Sequence, residues 1–280
     1  MDLKIGHHIS ITQGFPKMIE EARMMGMNCF SCMIGNPRTG NFSPRPKVEI
    51  DALNAALDNE IIHNFVVHSP YVFNLASKNE QVRSRTIEDM KKVIPYLDSI
   101  DRTYYVLHPG SHTGNGVDKG IQLIVDGLNE IIKENQKTII LLETMAGKGT
   151  EIGTLEHLEK IISKLDNPQK VGICFDTCHT WDAGYNLANF FDVIAELHKR
   201  SLFEKVRLIH FNDSKNACGS HKDRHENIGA GLIGSDNLKN ILNYAGFQDL
   251  PFILETNQDD RSRVIEEIKM LKEWRNESSD

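Results

Sequence analysis

The sequence has 280 residues, 40% of them apolar and 25% charged, which allows a sizeable core and excludes disordered, collagen-like and coiled-coil classes. The net charge of −7 is the opposite of the basic surface typical of nucleic-acid-binding proteins. No apolar run approaches the roughly 18 residues of a membrane-spanning helix. The five cysteines are too few, and odd in number, for a disulfide scaffold.

Short runs rich in Val and Ile alternate along the chain with amphipathic stretches, and Gly, Pro or Asn separate the two. The predicted strands are residues 3–9, 29–34, 64–69, 104–109, 138–144, 171–177, 206–212 and 251–256. Helices are predicted between strands, for example at 80–99, 118–134, 154–165, 189–199 and 261–274. Each predicted strand is nearly continuously apolar, as expected for strands that are covered on both faces.

Eight rounds of strand and helix predict a closed (β/α)₈ barrel, an α/β fold that forms routinely from about 250 residues. An open doubly wound sheet typically has a glycine-rich first turn, and the first predicted strand is not followed by one. No linker-like segment interrupts the repeat, so we predict one domain over residues 1–280. Two longer loops, at 35–47 and 213–235, are candidates for a functional role.

Histidines and carboxylates recur at the ends of six predicted strands. They are His68, His108, Glu143, Asp176, His210 and Glu255. The C-terminal strand ends of a barrel meet at one face, where barrel enzymes carry out their chemistry, so these side chains should converge. A single histidine in an apolar strand is more often a hydrogen-bonded core residue than a ligand. A buried carboxylate such as Glu143 is costly unless it is paired or binds a metal, and this favours the metal interpretation.

Three further residues extend this set. His179 lies three residues after Asp176, and Asp223 and His225 lie in the loop after the seventh strand. Mixed nitrogen and oxygen ligands favour zinc over manganese or iron and disfavour calcium. At three or four protein ligands per ion, with one carboxylate shared, the set would hold about three ions. Such ions would also offset the negative charge of the chain.

The segments that carry these residues resemble the endonuclease IV family of apurinic/apyrimidinic endonucleases, DNA repair enzymes with a zinc-bearing TIM barrel of the xylose-isomerase-like type. The matching segments are IGHHIS, VVHSPYVFNLAS, VLHPGSH, LLETMAGKG, GICFDTCHTWDAGY, HFNDSKNACGS, DRHENIGAGLIG and ILETN. They span residues 5–257 in the family's order. FDTCH and DRHENIG are particularly specific signals.

The resemblance implies three zinc sites, with Mn²⁺ or Fe²⁺ able to substitute at one of them. The first zinc ion is expected on His68, His108 and Glu143. The second is expected on Glu143, Asp176, His210 and Glu255. The third is expected on His179, Asp223 and His225. Glu143 would be a catalytic residue because it bridges two of the ions.

The resemblance also implies an activity in base excision repair. The family hydrolyses the phosphodiester on the 5′ side of an abasic site in double-stranded DNA, leaving a 3′-hydroxyl and a 5′-deoxyribose phosphate. A hydroxide activated by paired metal ions is the expected nucleophile. Whether a 3′-repair phosphodiesterase or exonuclease activity accompanies incision stays open. We expect an intracellular, cytoplasmic monomer without a membrane or obligate protein partner, or a nuclear or virion-associated one depending on its source.

Three residues are expected to contact DNA. By resemblance, Arg38 and Tyr71 would enter the duplex at the lesion and hold the flipped nucleotide out of the stack. Arg224 would reach a phosphate, or form a salt bridge with Glu226 or Asp223. The loop that carries Arg38 is proline-rich and departs from the family's pattern.

Two other interpretations compete with an endonuclease: a different enzyme, and a binding protein without catalysis. A sugar isomerase or epimerase would share this fold and also use divalent metals. Such an enzyme does not need a third metal site built from His179, Asp223 and His225. A lesion-binding protein without catalysis would not need a bridged pair of ions.

The remaining cysteines and histidines have more modest interpretations. Cys29 and Cys32 point to opposite faces of one strand and are interpreted as packing residues. Pairing of Cys178 with Cys218 stays open. Three histidines near the same face are expected to orient metal-bound groups: His7, His8 and His112.

Overall fold

Eight parallel strands close into a barrel in which each strand pairs with the next along the chain and the last pairs with the first. The computed structural model describes residues 2–36, 38–257 and 260–277. The barrel strands β1 to β8 are, in order, Ile5–His8, Cys29–Met33, Asn64–His68, Thr103–Leu107, Ile139–Glu143, Val171–Asp176, Val206–His210 and Phe252–Leu254. The predicted (β/α)₈ fold is confirmed.

The interior of the barrel is filled by one small or branched side chain from each of seven strands. This interior layer consists of Cys29, Val66, Val106, Leu141, Cys174, Leu208 and Ile253, all fully buried. Strand β1 contributes Gly6 at the same level, where a Cβ would overlap the carbonyl oxygen of Cys29. Cys32 packs in the layer between strands and helices, so the two cysteines do face opposite sides of β2.

Helices cover the outside of the barrel and alternate with the strands. In the described part of the chain, helices α1 to α9 are Phe15–Met24, Lys47–Asp58, Glu80–Leu97, Val117–Ile131, Leu155–Ile162, Thr177–Asp182, Phe190–Lys199, Ser235–Leu242 and Arg261–Asn276. The five helices exemplified from the sequence are confirmed, with their ends shifted by up to three residues. Polar caps account for several beginnings: Asn79 caps α3, Thr154 caps α5 and Asp260 caps α9.

Strand register places the ends of the strands together at one face. His68 of β3 pairs with Val106 of β4, and Asp176 of β6 pairs with His210 of β7. Because the strands are parallel, their last residues emerge at the same end, where the loops that follow them also lie. This C-terminal face is the one that carries the polar residues predicted from the sequence.

Two short antiparallel sheets of two strands each lie at the C-terminal face. Gly110–Ser111 pairs with Glu151–Ile152, and Asp213–Ser214 pairs with His225–Glu226. Two-residue strands are too short to produce a period in the sequence, so neither sheet was predicted. The second sheet is a hairpin that folds the long 213–235 loop back over the end of β7.

Within residues 2–36, 38–257 and 260–277, no helix combines the length and the apolar character needed to cross a lipid bilayer.

Candidate metal centre

The nine predicted ligands lie together at the C-terminal face of the barrel. Four of them are the last residues of their strands: His68, Glu143, Asp176 and His210. His108 and Glu255 directly follow β4 and β8, and His179 lies in α6. The 213–235 loop contributes Asp223 and His225. Seven separate segments of the chain thus bring imidazoles and carboxylates into one volume.

The first group joins β3, β4 and β5. Oε2 of Glu143 lies 3.2 Å from Nε2 of His68 and 3.1 Å from Nε2 of His108. Nδ1 of His68 donates to the carbonyl oxygen of Ser69 at 2.8 Å, which leaves Nε2, on the side of Glu143, as the ligand atom. This group contains the three ligands expected for the first ion.

The second group shares Glu143 with the first. Oε1 of Glu143, the other oxygen, lies 2.9 Å from Nδ1 of His210. The same nitrogen is 3.2 Å from Oε2 of Glu255 and 3.9 Å from Oδ2 of Asp176. One ligand atom from each of these four residues lies within 4.8 Å of the others. Each Glu143 oxygen therefore faces a different group, which is the arrangement that a bridging carboxylate requires.

The third group lies beside α6 and the hairpin of the 213–235 loop. Oδ1 of Asp223 is 3.0 Å from Nε2 of His179 and 3.7 Å from Nε2 of His225. Nε2 of His225 also lies 3.8 Å from Oδ2 of Asp176. Nδ1 of His179 faces the carbonyl oxygen of Thr144 at 2.9 Å, so its Nε2 is directed toward Asp223.

The buried carboxylates of the cluster need positive charge close to them. Burial raises the pKa of Glu143, but the imidazoles of His210 and His108 outweigh burial and hold that pKa well below its ordinary value. Burial raises the pKa of Asp176. Burial lowers the pKa of His179, yet the carboxylates of Asp176, Asp223 and Glu143 together outweigh burial and raise that pKa well above its ordinary value. The carboxylates need compensating charge from protonated imidazoles or from bound cations.

A buried nitrogen without a hydrogen-bond partner is a more direct indication of a cation site than these pKa shifts. Within the part of the chain that the structure describes, Nε2 of His225 is buried and has no hydrogen-bond partner. It faces carboxylate oxygens of Asp176 and Asp223 at distances too long for a hydrogen bond. An orphaned imidazole nitrogen is costly in a protein interior, and a metal ion among these atoms would satisfy it. The nitrogen and oxygen donor set fits zinc.

Comparison with known proteins identifies the family. The family described as xylose isomerase-like TIM barrel matches residues 19–274. The chain is 45% identical over 270 residues to a Methanosphaera stadtmanae protein named "Probable endonuclease 4", and the match covers 96% of this chain and 98% of that protein. The chain belongs to the endonuclease IV family. As a member, it is a metal-dependent endonuclease.

Solved structures agree with endonuclease IV membership. The crystal structure of endonuclease IV from Thermus thermophilus has a TM-score of 0.86 and 25% identity, covering 98% of this chain and 99% of that one. A D-tagatose 3-epimerase-like protein has a TM-score of 0.74 and 25% identity, covering 99% of this chain and 100% of that one. The barrel fold is therefore shared with a protein described as epimerase-like.

Two of the three residues expected to contact DNA line the mouth of the cluster. Tyr71 and Arg224 border a cavity of about 350 Å³ whose other walls are the ligands themselves. Arg224 donates to the carbonyl oxygen of Asp223 at 2.8 Å, while Glu226 pairs with Lys215 instead. Arg38 is exposed and borders a different cavity beside Phe73. The structure thus brings Tyr71 and Arg224, but not Arg38, to the cavity of the cluster.

The expectations for the accessory histidines and cysteines have mixed outcomes. His7 bonds the backbone of Thr256, next to the ligand Glu255, and burial lowers the pKa of His7. His112 accepts the loop amides of Gly114 and Gly116 through Nδ1, and its expected role of orienting metal-bound groups stays a prediction. All five cysteines are free, and the pairing left open for Cys178 and Cys218 is absent.

Three buried carboxylates that the sequence analysis missed hold the 213–235 loop. They are Asp182, Asp213 and Glu267. Asp213 accepts backbone amides from four positions between 229 and 234, at 2.9 to 3.4 Å. Asp182 and Glu267 accept amides nearer the ligands Asp223 and His225. The only available signal was the three-residue spacing of Asp176, His179 and Asp182, which places them on one side of a helix.

Proposed function

We propose that this chain hydrolyses the phosphodiester on the 5′ side of abasic sites in double-stranded DNA and leaves a 3′-hydroxyl and a 5′-deoxyribose phosphate. The observation that carries the proposal is that the ligand groups are connected at the C-terminal face: Glu143 belongs to the first and the second, and Asp176 lies both with the second and with His179 and His225. Endonuclease names of relatives support the reaction class, and the donor chemistry supports zinc.

Nine residues would hold three zinc ions in this proposal. His68, His108 and Glu143 would bind the first ion. Glu143, Asp176, His210 and Glu255 would bind the second. His179, Asp223 and His225 would bind the third. When bound, zinc ions lower the pKa of water to about 7 and neutralise charge on phosphate oxygens, so that water can attack in line.

The chain itself orients two of these ligands through hydrogen bonds to the neutral side chain of Asn212. The Nδ2 group of Asn212 donates to Oδ2 of Asp176 at 2.8 Å and lies 3.5 Å from Oε2 of Glu255. Oδ1 of Asn212 accepts the Glu255 amide at 2.9 Å. Asn212 is fully buried and is itself held by Thr177. The two carboxylates are thus fixed in direction before any ion or substrate binds, which favours a preorganised site.

Substrate access is through the cavity above the cluster. The Tyr71 ring is 70% exposed, with its centre 6.0 Å from the His68 ring and 6.2 Å from the His108 ring. An exposed aromatic ring next to the reaction centre is suited to stack against or displace a base and hold an abasic nucleotide out of the duplex. Arg224, at the same rim, is suited to a phosphate, and Arg38 to the duplex further from the cluster.

A sugar isomerase or epimerase is the alternative that the fold likeness raises. The first two groups alone would suit such an enzyme. The third group of His179, Asp223 and His225 adds ligands that a carbohydrate proton transfer does not need. It favours phosphodiester hydrolysis, where an additional cation can stabilise the charge of the leaving oxygen.

The test uses a labelled duplex that carries one tetrahydrofuran analogue of an abasic site. The zinc-loaded protein is expected to cut directly 5′ of the analogue and leave an extendable 3′-hydroxyl, which a polymerase assay detects. An undamaged duplex of the same sequence should stay intact. An intact abasic duplex in the presence of zinc-loaded protein would contradict the proposal. A 3′-phosphoglycolate duplex tests the accessory 3′-repair activity in the same gel.

A further inference from the structure

Asp182 ends α6 and carries a fully buried carboxylate that belongs to none of the three ligand groups. Its Oδ2 accepts the backbone amide of Asp223 at 2.8 Å, and its Oδ1 accepts the hydroxyl of Ser214 at 2.7 Å. The carbonyl oxygen of Asp182 accepts the amide of His221 at 2.9 Å. Asp182 therefore binds the 221–223 turn from both its backbone and its side chain.

The 221–223 turn needs such support because its backbone is strained. His221 and Asp223 both have a φ of 53°, in the left-handed region that L residues adopt at a cost of roughly 1 to 2 kcal/mol. Residues persist there only where the surrounding structure fixes them. The amides of these same two residues donate to oxygens of Asp182. They direct the Asp223 side chain toward Nε2 of His179 at 3.0 Å.

Asp182 is fully buried although it belongs to none of the three ligand groups. Burying a charged group is unfavourable unless hydrogen bonds compensate for lost hydration. Asp182 obtains that compensation from Asp223, Ser214 and, at 3.5 Å, from Asn216. Asp182 in return fixes the geometry of Asp223. Asp223 is the only residue of the third group that lies on the 221–223 turn.

We propose that Asp182 is a positioning residue that sets Asp223 against His179 and so completes the third metal site. The inference rests on the proposed function, because it assumes that this group binds an ion. The first two groups include no residue of the 221–223 turn. Loss of Asp182 should therefore weaken the binding of one ion selectively and leave the other two in place.

The test is a zinc titration of the chelated protein, with mass spectrometry of the loaded species. Asp182→Ala is expected to bind one of three zinc ions about 10- to 100-fold more weakly, with the other two unchanged. Asp182→Asn can still accept the Asp223 amide while its Nδ2 donates to Ser214, so it should bind all three within a few-fold of the wild type. Excess zinc should restore incision by Asp182→Ala.

Ser214→Ala is the matched control. It removes the hydroxyl that bonds Oδ1 of Asp182 but keeps the bond to Asp223, so third-site affinity should stay close to that of the wild type. Wild-type affinity at all three sites in Asp182→Ala would overturn the inference. Equal weakening of all three sites would also overturn it, since that result indicates a general structural role.

If Asp182→Ala does not fold, a second measurement, made on the wild-type protein, tests the inference. In chelated wild-type protein, the Asp223 amide should be protected from hydrogen exchange because Asp182 accepts it. Exchange at the rate of an exposed amide would overturn the inference. Wild-type protein that binds three ions but leaves abasic DNA intact would contradict the proposed function and leave the role of Asp182 standing. Wild-type protein without a third ion would overturn the inference.

Discussion

Glu267 of α9 accepts the hydroxyl of Thr256, in the loop after β8, at 2.7 Å. Its other oxygen accepts the amide of Ile228 at 2.8 Å and the side chain of Asn227 at 3.0 Å. Thr256 follows the predicted ligand Glu255, and Asn227 lies two residues after the predicted ligand His225. One buried carboxylate thus links the segments that carry ligands of two different groups.

This link predicts a large effect of Glu267 on stability. Glu267→Ala leaves two buried donors and one half-buried donor without their acceptor, so we expect the free energy of unfolding to fall by about 3 kcal/mol. Urea denaturation of the chelated protein measures it. Glu266→Ala is the control, because that neighbouring carboxylate is 69% exposed and pairs with the exposed Arg263. It should change the free energy by less than about 0.5 kcal/mol, and equal effects of the two variants would contradict the prediction.

Glu143→Ala is expected to abolish 5′ incision of abasic DNA. The side chain faces the first group with one oxygen and the second with the other, so its removal deprives two proposed ions of a shared ligand. Incision rates on the tetrahydrofuran duplex measure the effect, and circular dichroism checks the fold. Near-native turnover would refute the bridging role of Glu143.

The barrel and the ligand positions could be predicted from the sequence because both depend on local patterns. A strand buried on both faces is a continuous apolar run, and a charged residue at its end is conspicuous, as in ILLE before Thr144 and in GICFD before Thr177. Parallel strands in a closed barrel then place all such residues at one face. Asp223 and His225 lie in a loop outside this strand pattern, and their assignment to a separate third site came from the resemblance to endonuclease IV.

The supports of the 213–235 loop could not be predicted because their partners are distant in sequence. Glu267 accepts an amide 39 positions earlier, and Asp182 accepts one 41 positions later. On its own helix, each is one acid among several polar residues, and nothing local marks it as buried. The hairpin that closes over β7 has two-residue strands and leaves no alternating pattern. Long-range backbone hydrogen bonds are visible only in the structure.

Asp223→Ala is expected to remove one of the three proposed zinc ions and to lower turnover at the abasic site. Its Oδ1 lies within 4 Å of ligand nitrogens of His179 and His225, and it belongs to neither of the other two groups. Metal analysis of the purified variant measures the stoichiometry. His112→Ala is the control, because the ring of this loop histidine bonds nearby backbone amides and its loss should leave the metal content unchanged. Unchanged zinc stoichiometry in Asp223→Ala would count against the third site.

Away from the metal centre, Glu49 of α2 caps the beginning of α1. It accepts the Phe15 amide at 3.0 Å and binds Arg45 through Nε at 2.9 Å and through Nη2 at 2.8 Å. The hydrogen bond from Arg45 lowers the pKa of Glu49 below its ordinary value. Since only 16% of the Glu49 side chain is exposed, this pair is screened less than a surface ion pair.

The depressed pKa of Glu49 predicts a pH-dependent loss of stability in Glu49→Gln. A carboxyl with a lower pKa in the folded state stabilises the fold fully above its unfolded pKa of about 4.3, and loses that contribution as pH falls through the folded value. At pH 7 we expect the variant to lose about 1 kcal/mol of unfolding free energy, and the difference should shrink below about pH 4. Urea denaturation of chelated protein at several pH values measures it. Glu20→Gln, at an exposed pair with Lys17, should show little change, and a difference for Glu49→Gln that stays constant with pH would contradict the charged role of this cap.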